Sequence, residues 1–147
     1  MLYLQTKTLS LYLPRCLPVL HYLSLTLFGI NLEHLDEFSV TVLVPTLKIL
    51  YLDWKVGSPS YKFHINTPAL EYFCFTGFLN GDYVLENLHN VVECVLQFQP
   101  RTSLSIEDYV KKSWDFMRPL CNVISMELST ITAQVTLHFH ALMTLYH

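Results

Sequence analysis

A short pattern recurs along the chain and limits the folds open to it. Pro18-Val19-Leu20-His21-Tyr22-Leu23-Ser24-Leu25 has the form Pro-x-Leu-x-x-Leu-x-Leu, and Pro45-Thr46-Leu47-Lys48-Ile49-Leu50-Tyr51-Leu52 repeats it unchanged in form. Pro68-Ala69-Leu70-Glu71-Tyr72-Phe73-Cys74-Phe75 carries aromatics at the last two apolar positions. Weaker copies without proline follow at Val91-Val92-Glu93-Cys94-Val95-Leu96 and Val123-Ile124-Ser125-Met126-Glu127-Leu128. The last two apolar residues of each copy stand at period two, which puts them on one face of a short strand, pointing into a core. The first apolar residue packs at the turn that brings the chain in, and a preceding proline stiffens that turn. A single unit cannot bury its own apolar face. The units must therefore stack.

The central apolar residues Leu23, Leu50, Phe73, Cys94 and Met126 are 27, 23, 21 and 32 residues apart. The first three intervals fall in the window of roughly 20–29 residues that marks leucine-rich repeats, whose signature is Leu-x-x-Leu-x-Leu. In a chain that is 52% hydrophobic, loose apolar triples also arise by chance; two near-identical copies with proline at one offset argue against that. Further alternating runs, Phe38-Ser39-Val40-Thr41-Val42 and Tyr61-Lys62-Phe63-His64-Ile65, read as half-buried strands ahead of the proline turns. Strands are thus expected on both sides of an arc, linked by turns at Gly57-Ser58-Pro59-Ser60 and Asn80-Gly81-Asp82. Apolar residues at 106, 109, 110, 114 and 117 predict one helix, with Ser103 or Ser105 able to cap it. A short helical turn is expected near Tyr83–Leu88, and Val135, Leu137 and Phe139 read as an edge strand. The fold class is α/β: an irregular leucine-rich-repeat solenoid, an arc of about five short parallel strands, β-rich with few helices, as one region over residues 1–147.

Composition removes several functions. Nine Lys+Arg against twelve Asp+Glu leave a net charge of −3, and the longest basic run is Lys111-Lys112, so no stripe exists for nucleic acid. The longest uncharged stretches, Cys16–Leu32 and Leu128–His147, carry proline, histidine, threonine and glutamine, so neither reads as a membrane span. The amino terminus has no charge before Lys7 and breaks its apolar run with prolines, unlike a signal peptide. Cys16, Cys74, Cys94 and Cys121 form no Cys-x-x-Cys pair, which fits free thiols and an intracellular setting, cytoplasm or nucleus. Four glycines in the chain provide no phosphate loop, and no cofactor is implied.

Several segments resemble plant F-box/leucine-rich-repeat proteins of the F-box/FBD/LRR type. Cys16-Leu17-Pro18-Val19-Leu20-His21-Tyr22-Leu23-Ser24-Leu25 is similar to their Cys-Pro-Val-Leu-Glu block, and Asn66-Thr67-Pro68-Ala69-Leu70-Glu71-Tyr72 to their Thr-Pro-x-Leu-Glu block. Tyr83–Leu88 with Asn90-Val91-Val92-Glu93-Cys94, then Leu120-Cys121-Asn122-Val123-Ile124-Ser125-Met126-Glu127-Leu128, follow in the family's order. The resemblance covers roughly residues 16–130. It implies a module that chooses substrates for ubiquitination. The family's F-box and carboxy-terminal domain have no counterpart in these residues, so a repeat-only fragment is expected, without binding to a Skp-type adaptor.

Residues flanking the inward pair of each copy are expected on the concave surface. They give the rows Tyr22, Ser24, Thr26; Ile49, Tyr51, Asp53; Tyr72, Cys74, Thr76; Glu93, Val95, Gln97; and Ser125, Glu127, Ser129. Tyr22, Tyr51 and Tyr72 would form an aromatic anchor for an unknown protein partner, although tyrosine also favours strands for its own sake. His138-Phe139-His140 pairs two imidazoles, but a metal needs three or four converging ligands and no further one stands at a recognised spacing. Cys74 or Cys94 with His64 or His89 lacks a third orienting group. The leading expectation is a non-enzymatic interaction module; the alternatives are a truncated relic without independent function and a metal-binding enzyme using the histidines. An apolar carboxyl-terminal end also raises self-association.

Overall fold

The computed structural model describes residues 8–16, 19–27, 37–54, 61–79, 81–99, 104–129, 133–134 and 137. They hold strands β1 (Thr8–Leu13), β2 (Tyr22–Leu27), β3 (Glu37–Val42), β4 (Ile49–Trp54), β5 (Tyr61–Asn66), β6 (Tyr72–Phe78), β7 (Asp82–Glu86), β8 (Glu93–Gln99) and β9 (Ser125–Leu128). Helix α1 (Ile106–Met117) runs into a 3-10 turn at Arg118–Leu120. The strands form two sheets. Sheet A has the order β1-β3-β5-β7, and sheet B the order β2-β4-β6-β8-β9. Every pairing is parallel, and strands pair with the one two places on, because the intervening strand crosses to the other sheet. The pair β8–β9 departs from this rule: α1 occupies the interval where earlier units place a sheet A strand. The described residues are strand-rich with one long helix and parallel sheets, compatible with an α/β repeat fold.

One turn recurs ahead of sheet B strands. Leu47, Leu70, Val91 and Val123 N–H groups donate to Val44, Thr67, Leu88 and Leu120 carbonyls at 3.3, 3.0, 3.2 and 3.3 Å. Proline fills the second turn position at Pro45 and Pro68, where its fixed φ suits a type I turn. His89 and Cys121 hold that position in the later copies, so the turn survives without proline. Each strand then begins on a shared acceptor. Lys48 and Ile49 N–H groups donate to His21 O, Glu71 and Tyr72 to Lys48 O, and Val92 and Glu93 to Glu71 O, at 2.9 to 3.2 Å. Ile124 and Ser125 donate to Val92 O at 3.0 Å. Backbone groups beside the strands are thereby satisfied from unit to unit.

The core lies between the sheets. Leu50, Leu52 and Trp54 of β4, with Phe73 and Phe75 of β6, are buried against Phe38, Val40 and Val42 of β3 and Tyr61, Phe63 and Ile65 of β5. Trp54 bridges the layers, its ring 4.8 Å from Phe38 and 4.9 Å from Phe63. Gly77, in register with Trp54, provides the room: a Cβ there would come within 2.7 Å of Trp54 Cβ and 2.9 Å of its carbonyl oxygen.

Three expectations need correction. Tyr83–Leu88 contains no helical turn; Asp82–Glu86 is a strand, because Tyr83 and Leu85 alternate inward and pair beside β5. Met126 does not bury its side chain. It is 39% exposed, since β9 is the edge of sheet B and has one paired neighbour. Ala133, Gln134 and Leu137 are helical, and Ala133 N–H donates to Ser129 O at 2.8 Å, so no edge strand runs through Leu137. Val135, Phe139, the His138 and His140 pair, and the turn at 57–60 lie outside the described residues.

Helix α1 forms where expected, with Ser105 Oγ accepting from Asp108 N–H at 3.1 Å. Its buried stripe is Tyr109, Val110, Ser113, Phe116 and Met117, whereas Ile106 and Trp114 are exposed. Strand β1 adds a unit ahead of the first proline copy, pairing in parallel with β3 from Thr8 to Leu13.

Candidate functional site

Strict alternation decides what sheet B shows outward. In β4 and β6 each buried residue is preceded by a partly exposed one, so Ile49, Tyr51, Asp53 and Tyr72, Cys74, Thr76 face away from the core. Parallel register then aligns them into rows. Tyr22, Ile49, Tyr72, Glu93 and Ser125 are successive lateral partners. Ser24, Tyr51, Cys74, Val95 and Glu127 form the next row, and Thr26, Asp53, Thr76 and Gln97 the third. Two of these rows run across five strands and the third across four, and they hold every residue expected from the repeat except Ser129, which follows the end of β9.

The tyrosines meet on the diagonal. Tyr51 has its ring 5.7 Å from Tyr22 and 5.2 Å from Tyr72, at interplanar angles of 45° and 39°. Such tilted pairs sit in the favourable range for aromatic rings and add roughly 0.5–1.5 kcal/mol each beyond area burial. Tyr22 stays 55% exposed, so the cluster presents a ring face to solvent. Burial and a hydrogen bond with Tyr51 push the Tyr72 phenol up to about 12, keeping it neutral at physiological pH. Burial raises the Cys74 thiol, and the Asp53 and Glu127 carboxylates raise it further. That thiol is a poor nucleophile. Cys94, beneath the face, is buried and pushed to about 12 by burial and by Cys74.

The face is acidic. Asp53, Glu93 and Glu127 point outward, and no Lys or Arg stands in the described outward positions of sheet B. Lys48, at the rim, is neutralised by Glu71 at 3.0 Å. Thr76 Oγ1 lies 3.5 Å from Gln97 Oε1.

The outward face of sheet A carries a second polar group. His64 Nε2 lies 2.8 Å from Glu86 Oε2, Asn66 Nδ2 donates to the same oxygen at 3.2 Å, and Asn87 Nδ2 donates to Asn66 Oδ1 at 3.0 Å. Asn87 takes φ 55°, a left-handed conformation that asparagine tolerates. An apolar groove of about 630 Å³ lies between α1 and β9, lined by Trp114, Met117, Leu120, Val123, Met126 and Leu128. Among the described residues, no three His, Cys, Asp or Glu side chains converge to hold a metal, and His64 and His89 are not brought to Cys74 or Cys94 by any contact. No described helix is long and apolar enough to cross a membrane. The thiols of Cys16, Cys74, Cys94 and Cys121 are free.

Parallel units stacked in register, with one face of sheet B turned outward, are compatible with an α/β repeat fold. Over 104 residues the chain is 34% identical to an F-box/LRR-repeat protein of Arabidopsis thaliana, covering 65% of this chain and 27% of the relative. A second Arabidopsis F-box/LRR-repeat protein is 34% identical over 99 residues, covering 65% of this chain and 21% of that relative. The chain therefore spans about a quarter of the length of the curated relatives it matches. These likenesses support a relationship to the F-box/LRR-repeat proteins. No protein-family model matches the chain, and no solved structure matches it.

Proposed function

We propose that the chain is a non-enzymatic protein–protein interaction module, an irregular leucine-rich-repeat solenoid whose outward sheet B face receives a protein partner. The observation that carries this reading is the contiguous cluster of Tyr22, Tyr51 and Tyr72 across three adjacent strands. Aromatic side chains of this kind, rigid and amphipathic, anchor interfaces at low entropic cost. Similarity to F-box/LRR-repeat proteins supports a finer role, in which these repeats select a substrate for ubiquitination inside the cell.

Site-specific photo-cross-linking tests it. p-Benzoylphenylalanine at position 51 captures a partner in the source cells, whereas the same group at position 84, exposed on the opposite sheet, does not. A substrate role further requires that the captured protein accumulates when the proteasome is inhibited. Equal capture from both faces, or none from position 51, refutes the reading.

A further inference from the structure

The edge of sheet B at β9 combines an open backbone with an open apolar wall. Ser125 N–H donates to Val92 O and Ser129 N–H to Leu96 O, each at 3.0 Å, so these residues turn toward β8. Alternate residues of a strand address opposite neighbours. The Met126 and Leu128 N–H groups and the Ile124 and Met126 carbonyls are therefore aimed at the open side of β9. Earlier units fill the same acceptor position: the His21, Lys48, Glu71 and Val92 carbonyls each receive two N–H groups from the next unit. Among the described residues, none donates to the Ile124 carbonyl. Beside this edge lies the groove of about 630 Å³ under α1, with exposed Trp114 and Met126 on its walls. Ile124, at the entry to the strand, is 86% exposed. An unpaired apolar edge of this kind recruits another strand.

We infer that a second copy of this chain covers the edge, its β9 pairing antiparallel with β9 about a two-fold axis at Met126. The segment is its own complement in that register. Met126 stands opposite Met126, where the two copies exchange both N–H···O bonds, and each Leu128 N–H donates to the Ile124 carbonyl across the axis. Apolar residues then meet apolar ones, Met126 on Met126 and Ile124 on Leu128, while Glu127 meets the hydroxyl of Ser125. A slip of one residue would set Met126 against Glu127, and a slip of two toward Leu128 would oppose the two Glu127 carboxylates. Self-pairing also closes the edge, which gives a dimer rather than a fibre. The axis stands perpendicular to the sheet, so both tyrosine clusters face the same side of one continuous sheet. Three strand steps from β4 to β9, one across the axis and three back separate Tyr51 from its counterpart by about 34 Å. The inference concerns the sheet edge and is independent of the proposed function, which concerns the outward face.

Sedimentation equilibrium of the full chain between about 1 and about 100 μM tests it. The chain should form a dimer and no larger species. Ile124→Asp, at an exposed position, sets a carboxylate against Leu128 of the second copy and should raise the dimer dissociation constant by at least about tenfold. Met126→Cys should give, on mild oxidation, a disulfide joining the two substituted positions, because directly paired Cα atoms roughly 5.5 Å apart lie within disulfide reach. Peptide mass mapping separates that link from any made through the four native thiols. A monomer throughout the range overturns the inference, as does open-ended growth, the mark of β9 pairing head-to-tail with β2. A dimer without the link at position 126, or one that a folded Ile124→Asp variant leaves intact, has its interface elsewhere and overturns it too. Should circular dichroism show Ile124→Asp unfolded, the disulfide decides alone.

Discussion

Phe116 of α1 meets Tyr83 of β7 edge-on, with ring centroids 4.8 Å apart and planes at 79°. The same ring lies 4.8 Å from Phe75, 5.2 Å from Phe98 and 6.2 Å from Phe73. One helical side chain therefore touches both sheets and fixes α1 where a sheet A strand would otherwise follow β7. Phe116→Ala should cost about 3–5 kcal/mol, because a wall of aromatic neighbours cannot collapse into the space. Denaturant unfolding monitored by tryptophan fluorescence measures the loss. A cost below about 1 kcal/mol, as for a surface site, would show that α1 does not pack as described.

Leu50 and Tyr51 are adjacent in β4 but face opposite ways. Leu50 has no exposed surface, whereas Tyr51 stands on the outward face. Leu50→Asp buries an unpaired carboxylate and should cost more than about 4 kcal/mol, enough to abolish a cooperative transition. Tyr51→Asp forfeits two ring contacts and should cost about 1–2 kcal/mol. Thermal melts of both variants provide the check, and equal losses would mean that the two side chains do not face opposite ways.

Thr67 is fully buried, yet its Oγ1 has no hydrogen-bond partner among the described residues. It occupies the turn position held by Val44, Leu88 and Leu120 in the other units, all buried and apolar. Thr67→Val removes an unsatisfied hydroxyl at nearly constant shape and should stabilise the fold by about 1 kcal/mol. A loss of stability in urea titration would reveal a partner for that hydroxyl.

Glu86 ties β7 to β5 through a hydrogen bond with His64, and that bond holds its carboxyl below the usual carboxylate range, with Asn66 helping. A lowered folded value means that the carboxylate stabilises the fold fully above the unfolded value of about 4.3. The contribution fades as pH falls through the lower folded value. Wild type should thus exceed Glu86→Gln in stability near neutrality, and the two should converge on acidification. Urea midpoints measured along the acid limb test this; a constant gap would assign the bond to hydrogen bonding alone.

Period two made most of sheet B legible, because each proline copy fixes both where a strand starts and which residues point inward. Leu50, Phe73 and Cys94 are buried as their positions require, and the outward rows follow from the same count. The candidate face was readable to that extent, but the diagonal contacts of Tyr51 depend on side-chain lean, which spacing does not carry. Strand β7 was obscured because Val84 is apolar yet exposed, so Tyr83-Val84-Leu85 lacks a clean alternation. Phe116 escaped the helical stripe for a related reason. Ile106 and Trp114 are apolar and exposed, which shifts the apparent face away from Phe116. The pairing of Glu86 with His64 spans 22 residues and only parallel register brings it about.

The equal spacing of sheet B's strands has a geometric consequence for any extended chain lying across them. Its rungs recur roughly every 4.8 Å, while same-face side chains of an extended peptide recur roughly every 6.8 Å. The two periods coincide only after about 34 Å, and five strands span only about 19 Å. A crossing peptide is therefore incommensurate with the surface and falls into step with it at a single point. An extended chain lying across these strands would thus be held at one anchored contact, not matched residue by residue.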